Sequence, residues 1–334
     1  LATVSVPYEL PRQLLAEKIG PRHLRFLHYE EGRTGTVAVV ENRINRERQL
    51  FVNGVNEVTT RLVHDQSFKL LGHLGLLLHE DPEQVLVVCL GAGLSAGAAA
   101  THDIESLEIV DLQRSVEGGA RLFSDENNEV LDDPRTRLIF DDGRHHMRTT
   151  TRQYDVIIVD STHPRAVDSW ILYTREFYDI ARGRLSDDGW FVQWLPMHGL
   201  SVDEFRIIVN TFETVFPRGT MWVNVGYEQY GQAAYALLVG NASDDSTIDR
   251  ELLARRLAAP AVRHDLTPWG LDRVNEILEC FVAGPEAIRR WVGHLPINTD
   301  DLPWTQFVTR YSDSAPMTAA RLLEVREPVN SHLV

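Results

Sequence analysis

Three aspartates, each closing or following a run of apolar residues, set the chemistry this sequence supports. Asp111 stands near the end of LEIVDL (107–112), Asp142 follows TRLIF (136–140) in the pair Asp142-Gly143, and Asp160 ends YDVIIVD (154–160). A further apolar run, VLVVCL (85–90), leads instead into Gly91-Ala92-Gly93, then Ser95 and a row of alanines. Carboxylates accept hydrogen bonds from hydroxyls and amino groups, take up protons and neutralise cations. Glycines let the backbone turn sharply and approach a ligand with no Cβ in the way. A helix start just beyond them offers free N–H groups. Any one of these features alone is equally a tight turn that binds nothing, or a solvated strand end. Their recurrence on successive strand ends is what makes a site.

The elements that must position them follow from the same runs. Valine- and isoleucine-rich stretches without polar alternation read as strands buried on both faces. Small-residue or amphipathic segments lie between and beyond them, at 96–100, 115–123 and 174–185, and a further strand is expected at 190–195. Strands alternating with helices specify a parallel, doubly wound sheet, whose ligands bind beyond the carboxyl ends of the strands. Gly91, Gly93, Asp111, Asp142 and Asp160 are therefore expected in one crevice. Asp111, about twenty residues after Gly91, occupies the position of a ribose-binding carboxylate, with Leu112 beside it. Ser95 is expected to cap the helix that follows the glycines.

Around this unit, residues 62–79 read as a helix ended by Asp81-Pro82, and 201–216 as a helix opened by a Ser201/Glu204 capping box. Residues 220–225 and 233–240 read as closing strands. Before it, 11–19 reads as a short helix, and 25–29, 36–41 and 49–52 as strands of a small antiparallel unit with an Asn53-Gly54 turn. After it, Ser246 and Asp249 read as a capping box for a helix to residue 257, with further helices at 271–283 and 285–292. The expected division is 1–61, an N-terminal β-strand unit; 62–243, a nucleoside-binding domain; and 244–334, a helical extension.

Composition narrows the function. Of 334 residues, 43% are hydrophobic and 24% charged, as in ordinary globular proteins. A formal net charge of −15 argues against nucleic acid and anionic membranes and suits cationic substrates. Lys18 and Lys69 are the only lysines, and neither lies in a G-x-x-x-x-G-K-[ST] loop, which excludes a Walker-type site and disfavours Schiff-base chemistry. Cys89 and Cys280 form no C-x-x-C and read as core thiols in a reducing, cytoplasmic setting. No apolar run has the ~18 residues of a membrane span. The chain begins at Leu1, which leaves room for a membrane segment or targeting peptide upstream.

From about His23 to Gly240 the sequence resembles the spermidine synthase family, the polyamine aminopropyltransferases. DDPRTRLIFDDGR (132–144), YDVIIVDSTHP (154–164) and LYTREFYD (172–179) carry the resemblance most specifically; the glycine stretch and the His73/His79 pair before it also fit. INTDDLPWTQF (297–307) is similar to the tail of bacterial members fused to membrane segments. The resemblance implies an α/β fold: a Rossmann-like, methyltransferase-type parallel sheet with a small N-terminal antiparallel unit used in homodimer or homotetramer contacts, and a helical C-terminal addition. It implies no metal, and as co-substrate a sulfonium nucleoside, either S-adenosylmethionine or its decarboxylated form. By position, Asp111 would hold the ribose hydroxyls, Asp142 with Gly143 the adenine, and Asp160 would take the proton of an attacking amine. Gln193 and Tyr173 would line the substrate groove, with packing the other reading of Tyr173.

Three departures stand out. Ala92 replaces the carboxylate that pairs with the donor's ammonium, His163 replaces a second substrate carboxylate, and Ala166, Val167 and Asp168 replace Gly-Pro-Ala. The nucleoside site is thus intact in type, while the polyamine site lacks two carboxylates, so undecarboxylated S-adenosylmethionine is expected to bind at least as well as the decarboxylated form and putrescine poorly. His163 reads as an acid/base or substrate contact. His145-His146 has no recognised zinc spacing. An aminopropyltransferase-like alkyl transferase acting on an amine is expected; the alternatives are an S-adenosylmethionine-dependent methyltransferase or other transferase, and a non-catalytic nucleoside-binding module.

Overall fold

A computed structural model describes residues 23–60, 62–166, 169–223, 235–243, 247–306 and 315–334. The expected helix at 11–19 lies outside the described residues. Four antiparallel strands, β1 (Leu24–Glu31), β2 (Thr36–Asn42), β3 (Arg48–Val52) and β4 (Val55–Thr59), pair in chain order. Asn53 and Gly54 close the β3–β4 turn with left-handed backbone at both positions, φ 51° and 77°, as a two-residue hairpin turn requires. β4, a fourth strand beyond the three expected, carries a bulge: Leu50 faces Val58 and Phe51 faces Asn56, which leaves Glu57 with no residue opposite. Val37, Val39, Leu50 and Val58 pack into the main core beside α1 (Leu62–Leu78), so the small sheet sits on the large unit.

The large sheet comprises β5 (Gln84–Val88), β6 (Ser106–Asp111), β7 (Thr136–Phe140), β8 (Tyr154–Val159), β9 (Leu185–Pro196), β10 (Thr220–Val223), β11 (Tyr235–Asn241) and β12 (Phe281–Ala283). Their order is β12-β10-β11-β9-β8-β5-β6-β7, with β5 to β9 parallel and the last three antiparallel on the β9 edge. Alternate residues of each parallel strand enter different core clusters. Val85, Val87, Val156 and Ile158 pack with α1 and α2 (Leu94–Ala100). Leu86, Val88, Ile157 and Val159 pack with α5 (Arg175–Arg182) and α6 (Val202–Val215) on the other face. Both faces are dry, which is why these runs show no polar alternation. Two shorter helices, α3 (Val116–Ala120) and α4 (Gly143–Thr149), follow β6 and β7. Ser201 and Glu204 open α6 with the expected capping box.

The tail contains α7 (Arg250–Leu257), α8 (Pro260–Leu266), α9 (Val274–Glu279), α10 (Pro285–Val292) and α11 (Ala315–Val325). It departs from expectation at 271–283: the helix stops at Glu279, and Phe281-Val282-Ala283 becomes β12 because the edge of β10 recruits this apolar run. Asp249 caps α7 by accepting from the Glu251 and Leu252 N–H groups; Ser246 lies outside the described residues. Residues 174–185 likewise divide, with α5 ending at Arg182 and Leu185 opening β9. No helix among the described residues is long and apolar enough to cross a membrane.

Candidate active site

The strand order reverses at β5, with β6 on one side and β8 on the other, the point at which sheets of this kind bind ligands beyond the carboxyl ends of their strands. Beyond β5 the chain turns through three left-handed residues: Cys89 (φ 72°), Gly91 (φ 53°) and Gly93 (φ 81°). For Cys89 this conformation costs about 1–3 kcal/mol. It is held by the Cys89 N–H donating to Val110 O at 2.8 Å and the Gly93 N–H donating to Leu90 O at 2.7 Å. A Cβ on Gly91 would meet nothing within 4 Å, so its side faces open space. Gly93, not Ser95, is the N-cap of α2, and no side chain caps it. The Ser95 hydroxyl instead donates to Asp160 Oδ2 at 2.5 Å. The turn is braced from behind by Asn127, whose Nδ2 donates to Ala92 O at 2.9 Å and Ala120 O at 3.0 Å. Gly97 makes that fit possible, since a Cβ there would lie 2.0 Å from Asn127 O. Sequence reasoning missed Asn127; the only local signal was a polar Asn-Asn pair between elements.

The three strand-end aspartates meet around Cys89. This residue, expected in the core, is half-buried in the crevice, while Cys280 is fully buried. Burial pushes its thiol well above the usual range, and Asp111, Asp160, Asp142 and Glu57, in that order, add to the push. Asp111 Oδ2 accepts from the Leu90 N–H at 2.8 Å and Oδ1 from the Gln113 N–H at 2.7 Å. Burial raises its pKa against these bonds. Asp142 caps α4, its Oδ1 accepting from the His145 N–H at 2.8 Å. Gly143 lets the chain pass β5 closely; a Cβ there would lie 2.5 Å from Val88 Cγ1. Burial raises Asp160 to about 7, with the Ser95 hydroxyl opposing the rise. Glu57, absent from any sequence-based site, is raised to about 8 by burial and then by Asp160.

The remaining candidates divide between the crevice and the core. Leu112 is 41% exposed, an apolar surface next to Asp111. Tyr173 is fully buried; its hydroxyl accepts from Ser161 Oγ and donates to Trp194 O. Gln193 is also fully buried, with Nε2 donating to Leu172 O at 2.8 Å and Oε1 without a partner among the described residues. His163 accepts the Arg165 N–H at Nδ1 and donates from Nε2 to His198 O at 2.8 Å, so both ring nitrogens are engaged. Burial lowers its pKa to about 4. His145 meets Asp141 and His146 meets Tyr154 and Glu108, in separate contacts.

One group of metal-ligand types gathers among the described residues: His79, Asp155 and Asp188, with ligand atoms within 4.8 Å of one another. It lies near the amino-terminal ends of β8 and β9, opposite the crevice. His79 Nδ1 accepts the Asp81 N–H at 3.0 Å, which puts the ring proton on Nε2, the nitrogen facing Asp188. That nitrogen presents no lone pair to a cation.

Comparison with known proteins adds to this geometry. The spermine/spermidine synthase domain profile matches residues 66–246. A polyamine aminopropyltransferase of Moorella thermoacetica is 30% identical over 224 residues, covering 66% of this chain and 76% of the relative. One from Thermotoga petrophila is 29% identical over 150 residues, covering 45% of this chain and 51% of the relative, so the chain spans about half that protein's length. Among solved structures, a spermidine synthase in complex with the transition state analogue AdoDATO aligns with TM-score 0.60 at 21% identity, over 74% of this chain and 89% of that one. The Thermotoga maritima spermidine synthase aligns with TM-score 0.57 at 17% identity, over 90% and 88%. These likenesses share the methyltransferase-like fold.

Proposed function

Because this chain belongs to the spermine/spermidine synthase family, we propose that its crevice transfers an alkyl group from a sulfonium nucleoside to an amine, with Asp160 as base. The observation that carries this reading is the placement of Asp111, Asp142 and Asp160 at or just beyond the carboxyl ends of neighbouring strands around a turn of left-handed residues, with Asp111 Oδ2 on the Leu90 N–H and Asp160 Oδ2 on the Ser95 hydroxyl. Asp111 is fixed by backbone N–H groups with its outer lone pairs left for ribose hydroxyls. Asp142 keeps Oδ2 for an adenine amino group, and Leu112 offers an apolar face next to Asp111.

When bound, the nucleoside supplies an alkyl carbon and a neutral thioether leaving group. The amine nitrogen forms the new C–N bond, the C–S electron pair returns to sulfur, and Asp160 accepts the proton released by the new ammonium. A free amine has a pKa near 10 and is mostly protonated at neutral pH. A base near 7, the level burial gives Asp160, is matched to working pH. Ser95 holds the carboxylate from one side.

Donor choice rests on Ala92. Its side chain is buried and uncharged, so the glycine turn carries neither partner for a bare ammonium arm nor repulsion of a carboxylated one. This favours undecarboxylated S-adenosylmethionine binding at least as well as the decarboxylated form. A charge pair at about 4 Å in a partly buried site is worth up to about 4 kcal/mol, enough to reverse a preference. Parallel titration with the two nucleosides measures it, and clear preference for the decarboxylated form contradicts it.

The pocket itself is tested with methylthioadenosine. A hydrogen bond to a charged group contributes about 1.5–3 kcal/mol, so Asp111→Ala and Asp142→Ala should each weaken binding by about tenfold or more. Unchanged calorimetric affinity in both variants removes the proposed pocket.

A further inference from the structure

Residues 298–305, inside the tail run INTDDLPWTQF, bond to the helix that Asp142 caps. Asp300 meets Arg144, the second residue of α4, in a two-pronged pair: Arg144 Nη1 donates to Oδ1 at 2.8 Å and Nη2 donates to Oδ2. The Thr174 hydroxyl donates to the same Oδ1 at 2.9 Å, and the Asp300 N–H donates to Glu176 Oε2 at 3.0 Å. Asn298 is fully buried and anchors the segment from the other side. Its N–H donates to Thr211 Oγ1 at 2.7 Å, its Nδ2 donates to Tyr173 O at 3.1 Å, and its carbonyl accepts the Arg175 N–H at 2.9 Å. The tail is thus bonded at once to α4, to the start of α5 and to α6.

Helix α4 has seven residues, too few to hold its shape alone. Its later turns are fixed by Met147 in the core and by His146, which meets Tyr154 and Glu108. Its first turn is tied down by Arg144, whose side chain is buried. A bidentate guanidinium–carboxylate pair fixes direction as well as distance. Asp142 spends Oδ1 on the His145 N–H of that same turn, so the aim of its other oxygen follows the turn.

We propose that Asp300 is a positioning residue: acting through Arg144, it sets the aim of the Asp142 carboxylate and with it the recognition of the exocyclic amino group of the base. Asp300 itself touches neither the nucleoside nor the reacting atoms. The tail beyond the nucleoside-binding unit thereby takes part in choosing the nucleobase. The proposal rests on Asp142 as the adenine contact and assigns the geometry of that contact to the tail.

The test is calorimetric titration of methylthioadenosine and of its 6-deamino analogue, which has hydrogen in place of the amino group. The proteins are wild type, Asp142→Ala, Asp300→Ala, and Arg144→Met combined with Asp300→Asn. Asp300→Ala strands a buried guanidinium, whereas the double variant removes both charges together, so the double variant decides the question if the single one does not fold. Wild type should prefer the amino form by about tenfold or more, the worth of one hydrogen bond to a charged group. In Asp142→Ala and in both Asp300 variants that preference should fall to within about threefold of none, while affinity for the 6-deamino analogue stays within about threefold of wild type. A preference kept in the Asp300 variants but lost in Asp142→Ala overturns the role of Asp300 and leaves the adenine contact standing. Equal weakening of both nucleosides in the Asp300 variants also overturns it, since that is what a purely structural tie would give. A preference that Asp142→Ala leaves intact, or that wild type lacks, removes the adenine contact itself and the role of Asp300 with it.

Discussion

Asp160 and Glu57 carry a pH signature that can be read without any substrate. Both folded-state pKa values lie above the ordinary carboxylate range, near 7 and near 8, with burial the larger cause. A carboxyl whose pKa rises on folding opposes folding as it ionises, because the unfolded chain releases that proton more readily. The penalty is absent below about pH 4 and grows as pH rises toward 8. Glu57→Gln and Asp160→Asn should therefore melt close to wild type at pH 4.5 and progressively higher than wild type up to pH 8, in thermal denaturation without ligand. A constant difference across that range contradicts the crowding of these two acids. At this scale the sequence was uneven. Asp111, Asp142 and Asp160 were legible because each marks the end of an apolar run. Glu57 was not: its place depends on a one-residue bulge in a strand that the pattern of Val55–Thr59 did not announce.

The glycine turn and α2 form the element on which the site depends. Their spacing was legible, but the role of Ser95 was not, since Ser95 points at Asp160 across the switch point rather than capping its own helix. Cap residues are assigned from local sequence, whereas this contact joins positions brought together only by the sheet. The Asn127 brace is hidden for the same reason. Asn127→Ala leaves the carbonyls of Ala92 and Ala120 without this buried donor. The expected cost is about 1–3 kcal/mol in denaturant unfolding. Because the turn then loses its support, methylthioadenosine affinity should fall as well. Unchanged stability and affinity together would mean that the turn keeps its shape unaided.

Across the whole molecule, a buried polar chain ties the tail to α1 and α2. Lys69 Nζ meets Asp265 Oδ1 at 2.7 Å, His73 Nε2 meets Asp265 Oδ2 at 2.9 Å, and His102 Nε2 meets His73 Nδ1 at 2.8 Å. Asn128 Nδ2 donates both to Asp265 Oδ1 and to Gly97 O on α2. Burial alone would raise Asp265, but the His73 hydrogen bond and the Lys69 charge hold it well below the carboxylate range. Its contribution is therefore present above the unfolded pKa near 4 and lost as pH falls below it. Asp265→Ala strands the Lys69 ammonium in the interior and should cost about 3–5 kcal/mol near pH 7. An equally stable variant in urea unfolding would show that α8 does not staple the core. The large parallel sheet was legible from buried runs alternating with helices. The tail's contribution was not: the expected 271–283 helix hides β12, and nothing local to Asp265 reveals that its partners lie on α1.

The most direct test of the central claim is single-turnover release of the thioether nucleoside from the sulfonium donor that binds in the parallel titrations, with an amine acceptor present, comparing wild type with Asp160→Asn. With Asp160 as the base, the variant binds methylthioadenosine as wild type does and loses about 10²–10⁴ in rate. An Asp160→Asn chain that turns over at the wild-type rate contradicts the proposed mechanism.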